Sequence, residues 1–195
     1  MVNGQCILGI TGGIGSGKSY VSALLQREFG IPVYDCDKEA KRLTATDAGI
    51  RARLIELVGE DVYEGQALNK ERLAHFLFVN SENADEVNAI IHPAVLKDFK
   101  RWARRQQTEV VGLESAILFE SGFNVQVDKV LFVDAPEEIR LSRAMLRDTA
   151  TEAQVKARMK MQHPEQYRAK ADYIIDNSTT DDTRLLQQLN GIPEL

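Results

Sequence analysis

Five short apolar runs recur along the 195-residue chain, and longer stretches of helical periodicity fill the intervals. The runs are Cys6–Ile10, Ile31–Asp35, Val110–Glu114, Lys129–Asp134 and Tyr173–Asp176. Each is nearly continuous in its apolar character, rather than alternating. That is the pattern of a parallel strand covered on both faces. Strands separated by helices predict a three-layer α/β fold around a five-stranded parallel sheet.

The helical stretches have readable ends. A helix is expected from Lys18 to Phe29, closed by Gly30, since glycine accepts the left-handed turn that ends a helix. Residues 38–107 carry little strand signal; Lys70–Phe78 and Glu82–Gln107 are periodic as helices, and Pro93 should break or kink the second. This long helical insertion between the second and third strands is either a substrate-binding subdomain or helical cover for the sheet. Pro136–Arg147 and Thr151–Gln162 read as two more helices, the first with Pro at its first helical position and acids in its first turn. Thr179–Asp182 leads into a last helix ending near Asn190–Gly191. The organisation expected is one domain: a core of 1–37, 108–136 and 172–195, the insertion at 38–107, and a lid at 137–171.

Composition narrows the class. Hydrophobic residues at 44% and charged residues at 27% are enough for a full core and ordinary for a soluble globular chain. A formal charge of −5 argues against a broad basic face for nucleic acid. Two cysteines, Cys6 and Cys36, make neither a disulfide framework nor a metal spacing, so both are expected reduced and buried. The N-terminus lacks the basic start and long apolar stretch of a leader, and no segment reaches membrane-spanning length. The expectation is a cytoplasmic protein with no membrane and no obligate protein partner.

The strongest chemical signal is Gly12-Gly13-Ile14-Gly15-Ser16-Gly17-Lys18-Ser19, which fits G-x-x-x-x-G-K-[ST] in full and lies between a strand and a helix. Glycines let the backbone turn its N–H groups toward phosphates, and the helix start adds a positive partial charge. Lys18 reaches the β- and γ-phosphates, and the Ser19 hydroxyl is a magnesium ligand. The motif identifies nucleotide phosphate binding without separating kinases from GTPases or motors. Asn69-Lys70-Glu71-Arg72 fails the guanine-reading Asn-Lys-x-Asp pattern at its last position, and the chain is short for a motor.

Acids fall where an acceptor would need them. The second strand ends in Asp35-Cys36-Asp37, at the carboxyl edge where α/β sheets bind ligands. One carboxylate can serve an acceptor hydroxyl and the other a magnesium-bound water; the competing reading is a cap on a helix beginning near Lys38. Glu114 ends the third strand, a weaker sign of a metal-organising acid. Arg140, Arg143 and Arg147 share one helix face, with Arg158 on the next helix. They suit either a mobile lid over the transferring phosphoryl or a solvated face paired with Glu137, Glu138 and Asp148. His92-Pro93 is a smaller signal, and a lone histidine is more often structural; His75 and His163 carry no pattern.

These elements together resemble the dephospho-coenzyme A kinase family over nearly the whole chain. The run Ile10–Ser19 looks like its phosphate loop, including Thr11, and Asp35-Cys36-Asp37 like its Asp-x-Asp element. His92–Val95, Leu118–Gly122 and the lid positions Arg143, Arg147-Asp148, Arg158 and Gln162 fit, as does Ala171–Asn177. The sequence departs from the family at Tyr20, where threonine is frequent, and at Ala116-Ile117-Leu118, where Pro-Leu-Leu is frequent.

The resemblance implies a P-loop kinase that uses ATP and Mg2+ to phosphorylate the ribose 3′-hydroxyl of dephospho-coenzyme A. It implies Asp37, Lys18, Asp35 and Arg143 as catalytic residues. It implies Gly13, Ile14, Gly15, Ser16, Gly17, Lys18, Ser19, Tyr20, Arg147 and Asn177 at ATP, with Ser19 on the metal. Thr11, Asp37, His92, Leu118 and Glu120 would meet the acceptor. The alternatives are a P-loop kinase of another nucleoside or nucleotide, or a nucleotide-dependent switch with a protein partner.

Overall fold

A computed structural model describes residues 4–162, 164–179 and 181–195; His163, and Thr180 in the lead-in to the last helix, lie outside the described residues. In chain order the elements are β1 (Cys6–Thr11), α1 (Lys18–Phe29), β2 (Val33–Asp35), α2 (Cys36–Thr46) and α3 (Ala48–Val58). Then follow β3 (Tyr63–Glu64), β4 (Ala67–Leu68), α4 (Lys70–Leu77), α5 (Ser81–Ala103) and β5 (Val110–Glu114). The chain ends with β6 (Lys129–Asp134), α6 (Glu137–Asp148), α7 (Glu152–Lys160), α8 (Pro164–Arg168), β7 (Tyr173–Asp176) and α9 (Asp182–Asn190).

It divides into two compact units, Met1–Asp35 with Ala103–Leu195, and Cys36–Trp102. The first holds a five-stranded sheet in the order β2-β5-β1-β6-β7, every pair parallel. β1 lies centrally because Leu8 and Ile10 are wholly apolar and fully buried. Around them pack Val21, Leu24 and Leu25 of α1, Leu131 and Val133 of β6, Ile175 of β7, and Leu185 and Leu189 of α9. Each such side chain contributes about 1.5–3 kcal/mol on leaving water. From β1 the chain crosses over through α1 to β2 at one edge, whereas from β5 it passes β1 to reach β6 on the other side, so the loop after β1 opens at the switch point of the sheet. Gly30 ends α1 with φ 66°, its N–H donating to the Leu25 carbonyl.

The second unit is helical and carries one small hairpin. Asp47 caps α3 through the Ile50 N–H, and Asn69 caps α4 through the Arg72 N–H. β3 and β4 pair antiparallel around Gly65, a hairpin of two-residue strands too short for any periodicity to announce. Asp98, buried, accepts from Arg42 at 2.6 Å and from Arg101, tying α2 to α5. The Tyr63 hydroxyl donates to the Thr44 carbonyl at 2.7 Å, and the Arg51 guanidinium lies 4.3 Å from the Tyr63 ring centroid.

Three expectations are corrected here. α5 runs through Pro93 as one helix, so of the expected break or kink the break does not occur. Proline removes one N–H, the donor to the Ala89 carbonyl, while buried Val87 and Ile90 before it and Val95 and Phe99 after it anchor the helix on both sides. α2 begins at Cys36 rather than near Lys38, so Asp37 stands in its first turn, beyond the cap position. Pro136 occupies the cap of α6 with extended ψ of 146°, one residue before the position expected. Of the two cysteines, Cys36 is buried and Cys6 only partly so. Among the described residues, no helix is long and apolar enough to cross a membrane.

Candidate active site

The turn from β1 into α1 is a glycine-lined cradle. Gly15 has φ 76°, and a Cβ there would lie 2.0 Å from the Arg140 carbonyl oxygen. Gly17 has φ 91°, and a Cβ there would lie 2.1 Å from the Asn177 Nδ2. Both positions therefore require glycine for conformation and for space. Lys18 Nζ donates to the Gly12 and Gly13 carbonyls at 2.9 and 3.3 Å, so its ammonium sits over the loop. The Ser16 hydroxyl is buried inside the turn without a hydrogen-bond partner. A lysine held over a loop whose backbone curls around it at a helix start makes a site for polyphosphate.

Hard oxygen donors stand beside the cradle. The Ser19 hydroxyl donates to Glu114 Oε1 at 2.8 Å. Glu114 pairs in register with Ile10 of β1 on one side and Asp35 of β2 on the other, so two carboxylate residues end adjacent strands. Burial pushes the Glu114 carboxyl above its ordinary range; the Ser19 hydroxyl opposes that shift, the Asp35 charge adds to it and Lys18 opposes it. A hydroxyl and two carboxylates are the donor chemistry of Mg2+, which takes oxygen ligands.

The other end of the loop is braced from β6, α6 and β7. Asn177 is buried; its amide nitrogen donates to the Ser16 carbonyl at 2.7 Å and its N–H to the Asp134 carbonyl at 2.8 Å. Arg143 donates to the Asn177 carbonyl at 2.8 Å and lies beside Gly17. Arg140 donates to the Ala135 carbonyl at 3.0 Å and covers Gly13. The arginine face thus divides: Arg140 and Arg143 meet the loop, whereas Arg147 turns to Asp148, which also accepts from Arg158. Those two arginines hold the Asp148 carboxyl well below the usual carboxylate range.

The remaining residues singled out from sequence stand in several different settings. Leu118 is fully buried against Gly9, a core position. The Tyr20 hydroxyl bonds Asp182 of α9, and its N–H donates to the Gly17 carbonyl at 3.0 Å, so both of its polar groups are taken. Thr11, Gly12 and Gly13 line a narrow cleft with Glu120 and Tyr167. Tyr167 stacks on Phe119 at 4.8 Å between centroids, and burial together with the nearby Glu120 charge raises the pKa of its hydroxyl. Asp37 and His92 belong to the helical unit; burial lowers the His92 pKa. Sequence reading missed the Phe119–Tyr167 stack and the bond from the Ile14 N–H to Gln162 Oε1 at 2.8 Å. Neither carries a local signal, since each joins residues far apart in the chain.

Comparison with known proteins agrees with this geometry. A family model described as dephospho-CoA kinase matches residues 6–182. A dephospho-CoA kinase of Porphyromonas gingivalis is 48% identical over 173 residues, covering 88% of this chain and 85% of its own. One of Bacteroides fragilis is 46% identical over 172 residues, covering 87% and 83%. A solved structure from Thermus thermophilus superposes with a TM-score of 0.84 at 35% identity, covering 95% of this chain and 94% of that one. With its phosphate cradle, its strand order and these relatives, the chain belongs to the dephospho-CoA kinase family.

Proposed function

We propose that the protein transfers the γ-phosphoryl group of ATP to the ribose 3′-hydroxyl of dephospho-coenzyme A, giving coenzyme A and ADP. The observation that carries the phosphotransferase reading is the Lys18 ammonium held over a loop that only glycine can form at Gly15 and Gly17. The acceptor comes from the family to which the chain belongs.

In this mechanism Lys18 and the loop N–H groups of Gly13, Gly15, Gly17, Lys18 and Ser19 hold the ATP phosphates, those of Ile14 and Ser16 being bonded to Gln162 and Gly13, and Arg143 faces the same loop. Ser19, Glu114 and Asp35 hold Mg2+. The ion, when bound, offsets charge on the phosphate oxygens. Asp37 takes the proton of the acceptor hydroxyl. Asp37 follows Asp35 by two residues, a span of at most about 7.6 Å between Cα atoms. Because phosphoryl transfer runs through a loose transition state, orientation of that hydroxyl matters more than the strength of the base. Thr11, Glu120 and His92 are the proposed acceptor contacts, together with Leu118, which is buried against Gly9. The segment 137–171 is the proposed lid, with Arg147 released from Asp148 to reach ATP. Two cysteines are too few for a disulfide framework, which favours a reducing, cytoplasmic setting.

The test is ADP release from ATP and Mg2+ with dephospho-coenzyme A, with adenosine and AMP as comparison acceptors. Stimulation by dephospho-coenzyme A alone, with a 3′-phosphorylated product, is expected. Equal rates with every acceptor would remove the substrate assignment and leave a P-loop kinase of other specificity.

A further inference from the structure

One residue of the phosphate loop, Ile14, is held in two separate ways by the α6–α7 hairpin. Its side chain packs into the hairpin's own small core, where Ala144, Val155 and Met159 are buried and Leu141, Met145 and Ala150 pack around them. Its N–H donates at 2.8 Å to the side-chain oxygen of Gln162, just past the end of α7. The loop pattern leaves this position open to any residue, so phosphate binding alone does not select isoleucine. Gln162 is itself fixed, because its N–H bonds the Met159 carbonyl at 3.1 Å and its side chain lies beside Thr11, Gly12 and Gly13. The start of α6 rests on the same loop through Arg140, whose carbonyl crowds Gly15. The arginine-bearing hairpin is therefore referenced to the loop at both ends.

We infer that Gln162 is a positioning residue for phosphoryl transfer, which through the Ile14 N–H and the Ile14 side-chain socket sets the arginines of α6 in register with the phosphate loop. Gln162 touches no reacting atom. It acts by fixing where Arg140 and Arg143 stand when charge develops on the transferring group, and groups aimed at that charge lose effect when displaced. The inference rests on the proposed phosphotransfer at this loop but not on the identity of the acceptor.

The experiment uses the full chain and the variants Gln162→Leu, Gln162→Glu and Ile14→Ala. Leucine keeps the bulk and removes the acceptor oxygen; glutamate keeps an acceptor oxygen at the same reach. In the nucleotide-free protein, amide exchange at Ile14, followed by NMR, should accelerate about fivefold in Gln162→Leu, the weight of one net hydrogen bond. It should stay protected in Gln162→Glu. Turnover with dephospho-coenzyme A should fall about tenfold in Gln162→Leu while the KM for ATP moves less than about threefold, since the arginines act on the transition state. Ile14→Ala, which keeps the backbone bond and empties the socket, should lower kcat in the same way and carries the test if Gln162→Leu fails to fold.

Unchanged exchange at Ile14 in Gln162→Leu would overturn the tie. Faster exchange with unchanged kcat would overturn the positioning role. Failure of the acceptor assignment would appear differently: the wild-type protein would not turn over dephospho-coenzyme A, while the exchange result would stand.

Discussion

The sheet-bearing unit and the helical unit achieve their order by different means. In the first, the groups that matter are largely backbone: five parallel strands in register, a loop whose carbonyls and N–H groups do the binding, and glycines that admit it. In the second, order comes from long side chains that bridge elements, such as Arg42 and Arg101 on Asp98, or Arg72 on Asp61 and on the Val58 carbonyl. Backbone chemistry leaves a strong imprint on sequence, because few residues tolerate it. Side-chain bridges leave little, because many pairs of residues can make them. The phosphate-binding half of the reaction is accordingly explicit in the chain, and the acceptor half is not.

The comparison is broken most directly at Lys18. Lys18→Ala removes the charged side chain that the loop's own carbonyls hold, and kcat should fall about 10³-fold. Thermal stability should fall modestly as well, because the ammonium's partners are carbonyls of the buried Gly12 and Gly13. Turnover within tenfold of wild type would mean that the backbone cradle alone carries phosphate stabilisation.

Asp37→Asn tests the helical unit's share. If Asp37 takes the acceptor's proton, kcat should fall about 10²-fold while ATP affinity, measured by titration, stays within about threefold. The split is the informative part. Equal losses in kcat and ATP affinity would move Asp37 into the nucleotide site and turn attention to Asp35 as the base.

Much of the fold was legible in the sequence for the same reason. All five sheet strands stand where continuous apolar runs place them, and α1 begins at the lysine of the loop and stops at Gly30. The β3–β4 hairpin and α8 were not legible, since strands of two residues and a helix of five have no period to detect. The continuity of α5 through Pro93 was misread because local preference counts the lost donor and cannot count the buried residues on either side. In the site, the loop and the acids after the strands were visible. That Arg140 and Arg143 meet the loop while Arg147 pairs with Asp148 depends on where α6 lies, which spacing on a helix face does not give.

Glu114 sharpens the comparison within the sheet unit, because there a side chain rather than the backbone carries the cost. Burial raises its pKa above the ordinary 4.5, so the folded state binds this proton more tightly than the unfolded state. That contribution to stability is complete below pH 4.5 and is lost as pH rises through the raised value. Glu114→Gln cannot ionise and can still accept from Ser19. Its Tm should match wild type near pH 4 and exceed it at pH 7 by about 2–4 °C, the shift expected for a mutation worth about 1 kcal/mol in a chain of this size. A gap that opened toward acid instead would reverse the assignment.

The smallest effect expected separates loop chemistry from what the loop's neighbours do. Tyr20 stands two residues after Lys18, at a position where the family resemblance implies a nucleotide contact. Its hydroxyl is bonded to Asp182, which Arg27 also approaches at 3.8 Å, and the ring is 45% exposed. The phenol thus links the starts of α1 and α9 on the surface, away from the carbonyls that hold Lys18. Tyr20→Phe should leave Tm essentially unchanged, as for other exposed polar contacts. The KM for ATP should stay within about twofold, because the Tyr20 N–H, bonded to the Gly17 carbonyl, is untouched by the change. A larger rise in KM at unchanged Tm would show that the hydroxyl leaves Asp182 for the nucleotide during turnover. The side-chain economy of the helical unit would then extend to the edge of the cradle.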